Sequence, residues 1–212
     1  MARSRIQFQK GLSLLEFQRR YCTEAQCETA WEKARWPDGF RCPRCQASEH
    51  GLVYGRRLKR YQGRNCGHQA TLTAGTIMQA TKLPLTTWFL AFYLIVQAKT
   101  GLSSLELSRH LGVKYDTAWL LLNKILRAMA DRQKAYLLWG KVQIDDAYLG
   151  KDRPGGRAGR GSENKVPTVA TFSLTQAGHP IHTRFSTVTG FSSDAIAHWA
   201  KRHHAPGSQV SL

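Results

Sequence analysis

At 212 residues, 42% of them hydrophobic and 21% charged, the chain is long enough for one large domain or two to three small ones, and its composition excludes a disordered polymer. Lys and Arg number 31 against 14 Asp and Glu, a formal net charge of +17. That balance points to phosphate, because counterion release gives sequence-independent affinity for nucleic acid; charge alone leaves an anionic membrane surface or a plain basic surface open.

Met1–Lys10 carries Arg3, Arg5 and Lys10, but no apolar run long enough for a secretory signal follows. The most apolar stretch, Leu85–Ala98, has 14 residues and is short for a bilayer. Five cysteines, an odd number, in a chain without an export signal favour reduced thiols and metal over disulfides, and a cytoplasmic location.

Two capping boxes open the chain. Ser13-Leu14-Leu15-Glu16 predicts a helix over Leu14–Tyr21, and Thr23-Glu24-Ala25-Gln26 one over Glu24–Arg35 that ends at Trp36-Pro37. Cys22 and Cys27 read as small apolar residues near helix ends. Cys42-Pro43-Arg44-Cys45 then forms a metal knuckle, because two thiolates on one tight turn can share a tetrahedral ion. Short β-prone runs follow around Leu52–Tyr54 and Leu58–Tyr61, leading to Cys66-Gly67-His68 and Thr71-Leu72-Thr73. A zinc ribbon needs a second knuckle, yet Gly63 stands where the partner of Cys66 belongs. His68 is the nearest spare ligand, which gives Cys42, Cys45, Cys66 and His68 as the predicted set; His50 is a weaker candidate. A three-ligand site and a lost site are the competing readings.

The positive charge is densest here. Residues 41–82 hold eight Lys and Arg against one acid, whereas residues 1–40 hold seven against five. Arg56, Arg57, Lys59, Arg60 and Arg64 on the arm between the knuckles are predicted to contact phosphate. Tyr54 and Tyr61 either stack on bases or pack inside the ribbon.

From 82 to 134 the pattern is helical. Pro84 suits the first turn of Leu85–Ala98, which is apolar nearly all round and so predicted to be buried. Ser103-Ser104-Leu105-Glu106 caps a helix to about His110, Leu111-Gly112-Val113 turns, and a longer helix runs from Tyr115 to about Ala130. This is the layout of a helix-turn-helix, with Lys114, Tyr115, Asp116, Thr117 and Trp119 at the start of the groove-facing helix; a plain helical hairpin is the alternative.

From 141 the period becomes two. Val142, Ile144, Asp146 and Tyr148 alternate with Gln143, Asp145, Ala147 and Leu149. Asp145 and Asp146 are unexpected in mid-strand, since an unpaired buried charge is costly, and a carboxylate facing a cleft is a way to hold Mg²⁺. Asp152 and Glu163 lie in a Gly- and Arg-rich loop and are expected to pair with its arginines. Asp194 sits in the first turn of a helix, where the dipole accounts for it. Val166–Leu174 and Ile181–Val188 read as strands, Ser192 or Ser193 starts a helix to about His203, and Gln209-Val210 opens another strand.

Arg35-Trp36-Pro37-Asp38-Gly39-Phe40 running into Cys42–Cys45, then Leu72-Thr73-Ala74-Gly75-Thr76, Lys82-Leu83-Pro84-Leu85, Val142–Gly150 and Gly159–Lys165, resemble the bacterial insertion-sequence transposases that carry an N-terminal zinc ribbon and an RNase H-like catalytic domain. The resemblance covers nearly the whole chain. It implies Mg²⁺-dependent cleavage at a transposon end and attack of the freed 3′-hydroxyl on target DNA. Asp145 takes the place of the first metal-binding Asp, with Asp146 secondary. The second and third ligands are expected beyond Gln209-Val210, so the chain is read as truncated and catalytically incomplete. Gly63 in place of Cys, and Lys151 in place of a second Gly after Gly150, are departures.

The expected fold is α+β and multi-domain: a zinc ribbon with helical lead-in over 13–76, a helix-turn-helix-like module over 82–134, and an incomplete RNase H-like α/β domain over 140–212. Expected cofactors are Zn²⁺ in the ribbon, weakened by Gly63, and Mg²⁺ not held productively. Expected partners are DNA (transposon ends and target), and a second copy of the chain or an intact transposase; no membrane partner is expected. The alternative is a non-catalytic DNA-binding competitor or regulator.

Overall fold

Helices start where small hydroxyl residues can take up free backbone N–H groups. In the computed structural model of the chain, which describes residues 11–54, 59–151 and 164–211, Ser13 opens α1 (Leu14–Tyr21) by accepting from the Glu16 N–H at 3.2 Å. Thr23 opens α2 (Glu24–Arg35) with a full capping box: its hydroxyl accepts from Gln26 N, and the Gln26 side chain accepts from Thr23 N at 3.1 Å. The helix stops at Trp36, as Pro37 requires.

Three short antiparallel strands follow in the order β1 (His50–Tyr54), β2 (Lys59–Gly63) and β3 (Gln69–Thr71). The third begins earlier than the Thr71–Thr73 run suggests, because Leu72 and Thr73 leave the sheet and bury their side chains. Trp36, Phe40 and Tyr61 pack ring against ring at 4.7–5.0 Å between centroids. Tyr61 is thus core, not a base-stacking surface, whereas Tyr54 is 77% exposed. Arg35 clamps the far end by donating to the carbonyls of Thr71, Leu72 and Ala74 while lying over the Trp36 ring.

Three helices complete this part: α3 (Leu85–Gln97), α4 (Ser104–Leu111) and α5 (Tyr115–Lys134). Gly112 ends α4 in the left-handed region at φ 63°, which gives the tight turn into α5. A shared core of Cys27, Met78, Leu85, Trp88, Ala91, Leu107, Ala118, Leu121, Leu122 and Ile125 ties them to α2. The expectation that α3 is wholly buried is not met. Leu85, Trp88 and Ala91 form its buried stripe, while Val96 is 74% exposed.

Pro84 occupies the cap position of α3 and has no side-chain group to offer. The Glu24 carboxylate of α2 does the capping instead, accepting from Leu85 N at 2.9 Å and from the Thr86 N–H and hydroxyl at 2.8 and 2.7 Å. Its negative charge also opposes the positive end of the helix dipole. Glu24→Ala is expected to destabilise this part of the chain by about 1–2 kcal/mol, seen as a lower midpoint in denaturant.

The chain divides after Ala128 into two compact units. The second holds β4 (Lys141–Leu149), β5 (Val166–Leu174), β6 (Pro180–Thr187), α6 (Ser193–His203) and β7 (Gln209–Ser211). Its sheet runs β6-β5-β4-β7; β4, β5 and β6 are antiparallel neighbours, and β7 returns parallel to β4 along Lys141–Gln143. A parallel return needs a crossover, and α6 provides it. One sheet face packs on α6 through Leu138, Val142, Val169 and Trp199. At the end of β4, Gly150 has φ 123°, and a Cβ there would fall 2.2 Å from the Asn164 carbonyl oxygen, so only glycine fits. The loop residues Asp152 and Glu163 lie outside the described residues.

Candidate metal centre and nucleic-acid interface

The two knuckles are built the same way. In the first, Cys42 N donates to Ala47 O at 3.0 Å and Gln46 N donates to Cys42 O at 2.8 Å. In the second, Gly63 N donates to His68 O at 3.0 Å and Gly67 N donates to Gly63 O at 2.9 Å. Each turn has a left-handed residue at the same step, Gln46 at φ 60° and Gly67 at φ 66°. Gly63 is therefore the counterpart of Cys42, Cys66 of Cys45, and His68 of Ala47.

The sulfurs of Cys42, Cys45 and Cys66 all lie within 4.8 Å of one another, and Cys42 Sγ is 3.5 Å from Cys66 Sγ. A tetrahedral zinc–thiolate site has Zn–S bonds of about 2.3 Å, hence sulfurs roughly 3.8 Å apart. Three soft thiolates at this spacing fit Zn²⁺. His68 is not part of this group. It follows the knuckle at the position of Ala47, where its backbone carbonyl, not its ring, serves the turn. Cys42 is buried, and N–H groups of the turn, first that of Cys45, lower its thiol to about 7. Cys27, by contrast, is buried in the helical core, where loss of solvent pushes its thiol up to about 11. That suits packing, not ligation.

Asp145 and Asp146 are both exposed, and as neighbours on β4 they point to opposite faces. Asp146 shares the α6 face with Val142 and Ile144; Asp145 is on the other. Both border a cavity of about 730 Å³ together with Ile144, Tyr148, Val169, Phe191, Ile196 and Val210. Among the described residues, neither joins a group of three metal-ligating side chains.

A family model of the transposase zinc-ribbon domain matches residues 22–69, and one of the ISXO2-like transposase domain matches residues 137–211. The chain belongs to the insertion-sequence transposases. It is also similar, at 29% identity over 131 residues, to a protein of Halobacterium salinarum described as an uncharacterized protein in transposable element ISH50. That match takes in 61% of this chain and 43% of the relative, so the chain spans less than half of that protein in the matched region. No solved structure matches it.

The basic residues divide by what they touch. Arg60 and Arg64 are exposed on and just after β2. Lys59 is half-buried: its backbone N–H donates to Glu28 at 3.1 Å and its ammonium lies 3.8 Å from the same carboxylate, so part of its charge is already spoken for. Arg56 and Arg57 fall outside the described residues. Lys114 and Tyr115 are exposed at the start of α5. Thr117 is half-buried and borders a cavity of about 440 Å³ that Lys82 and Lys124 also line. Among the described residues, no helix is long and apolar enough to cross a membrane.

Sequence reasoning missed the residues that hold other groups in place. Glu24 and Glu28 are two such acids on one helix; only their spacing of four, which puts them on the same side of α2, hints at a shared neighbour.

Proposed function

We propose that the chain binds insertion-sequence DNA through the zinc-ribbon arm and the α4–α5 helix pair, with Cys42, Cys45 and Cys66 holding zinc as the arm's staple. The carrying observation is the exposed pair Arg60 and Arg64 on a β-ribbon whose two turns meet at three thiols. Lys59 adjoins Arg60 on β2, Arg56 and Arg57 precede it in sequence outside the described residues, and Lys114, Tyr115 and Thr117 lie where a groove-facing helix begins. The α4–Gly112–α5 turn supports a helix-turn-helix. The β4–β5–β6 meander followed by a helix and a parallel β7 supports the RNase H-like reading of the second unit.

Asp145, on the strand beside the cavity, is the carboxylate proposed to contribute to a divalent-metal site, with Asp146 secondary. The described residues gather no further ligands around it, and on that ground the chain is proposed to bind ends without cutting them. An intact transposase or a second chain would then be its protein partner, in the cytoplasm, where thiols stay reduced.

Filter binding to end-sequence and scrambled DNA at two salt concentrations tests this. End DNA should bind more tightly, and affinity should fall steeply with salt, by a log–log slope of about 0.9 per phosphate contacted. The Arg60→Ala, Arg64→Ala double variant should lower that slope by roughly 2 for both DNAs alike. Equal affinity for both DNAs, with no change of slope in the variant, would remove the ribbon from the interface. Asp145-dependent cleavage of end DNA by the purified chain would show that it is catalytically complete.

A further inference from the structure

The second knuckle keeps the turn and lacks the ligand. Its hydrogen bonds repeat those of the first, and its glycine at the left-handed step matches Gln46. Gly63 has no positive φ and stands in extended strand, so its backbone would accept a side chain once Cys42 gives way by a few tenths of an ångström. A Cβ built on Gly63 falls 3.1 Å from Cys42 Sγ and 3.4 Å from Cys66 Sγ, and so points into the thiol cluster. The missing side chain is thus the one that would have reached the ion's fourth corner. His68, the nearest spare donor in sequence, is outside the cluster. Cys45 is exposed, which leaves the cluster open to solvent on its side.

We propose that the ribbon grips zinc with three thiolates only and leaves the fourth position, on the Gly63 side, to a donor from solution that a small thiol can displace. The inference rests on the zinc-ribbon reading. Zinc prefers four ligands, and a fourth place without a protein donor is what separates open zinc sites from closed structural ones. A monothiol is the chemical class that fits, because it supplies the same soft sulfur a cysteine at 63 would have supplied. Arg44, next to Cys45, and Arg64, two residues before Cys66, add positive charge to the same two turns.

The test uses the full chain with Co²⁺ in place of zinc, under argon and without added thiol. The intensity of sulfur-to-cobalt charge transfer counts the thiolates bound. Wild-type chain should give the three-thiolate intensity and rise by about a third when 2-mercaptoethanol is titrated in. Gly63→Cys should show the higher intensity from the start, ignore the added thiol and hold the ion more tightly. His68→Ala should leave the wild-type spectrum unchanged.

A wild-type spectrum that does not respond to thiol, or that changes in His68→Ala, overturns the open position while leaving the ribbon's metal in place. Failure of wild-type chain to bind cobalt or zinc at all overturns both. Should Gly63→Cys not fold, the thiol titration of the wild type decides alone.

Discussion

Cys42→Ser should leave the purified chain with less than about a tenth of an equivalent of zinc and with the ribbon unfolded. Cys42 is the most enclosed of the three thiols; it opens the first knuckle, lies 3.5 Å from Cys66, and belongs to the ribbon's small core with Phe40, Tyr61, Ala70 and Leu72. Burying a large apolar side chain gains about 1.5–3 kcal/mol, while ordering each residue's backbone costs about 1–2 kcal/mol. Five buried residues therefore cannot hold some thirty residues of loop and short strand without a covalent or metal staple. Structural zinc is worth about 10–16 kcal/mol in closed finger sites; a three-thiolate site offers less, but enough to decide the balance. Loss of amide protection over β1–β3, with the helical core still protected, is the expected hydrogen-exchange result. Affinity for end DNA should fall at least about tenfold, or 1.4 kcal/mol. A variant that keeps a full equivalent of zinc would mean that Cys42 is not a ligand.

The second large effect is expected at Arg184→Leu. Arg184 is buried on β6, where its guanidinium donates to the carbonyls of Gln133 and Tyr136, the latter at 2.6 Å, and to His203 Nδ1. A guanidinium only donates, so His203 must present Nδ1 as an acceptor and carry its proton on Nε2. Burial, and then the Arg184 charge, lower the pKa of both His203 and His204. Leucine at 184 fills similar apolar space but strands two carbonyls, a loss of roughly 3 kcal/mol from the second unit.

Acid should weaken this unit in the wild type. Both imidazoles are neutral when folded, and their folded pKa lies below the unfolded value of about 6.5. Their contribution is therefore complete above pH 6.5 and fades as pH falls below it, since the unfolded chain takes up protons first. Thermal melts from pH 7.5 to 5 should show that decline, and the decline should be shallower in Arg184→Leu, where the repelling charge is gone. A variant as stable as wild type at pH 7.5 would sink this account.

What was legible in the sequence was whatever short-range chemistry encodes. Ser13, Thr23 and Ser103 fix helix starts through bonds to residues three away, and α1 and α2 begin and end where those caps and Pro37 put them. Cys42, Cys45 and Cys66 could be paired by spacing because knuckle turns have one length. The role of His68 could not: the spacing brings it near, but the turn engages its carbonyl in place of its ring. Glu24 and Arg184 were invisible for another reason. Most of their partners are backbone groups, which every residue has, at sequence distances of 61 and about 50. Asp145 and Asp146 were conspicuous as adjacent acids, but the alternation that makes a strand also sends them to opposite faces.

The Glu24 cap sets an order of assembly. α3 is the most apolar helix among the described residues, and its first N–H groups are satisfied by a residue that precedes the entire ribbon. During synthesis α2 emerges first and waits for Leu85, and a folded ribbon shortens the loop that has to close before the two can meet. A ribbon that fails, for want of metal, lengthens the loop that Glu24 and Leu85 must close, which delays the cap and leaves the apolar stripe of α3 exposed for longer during synthesis, and such segments associate with one another. Zinc shortage would thus also lower the yield of folded chain: some chains would clump during synthesis, and those that fold would keep the helical core without the ribbon.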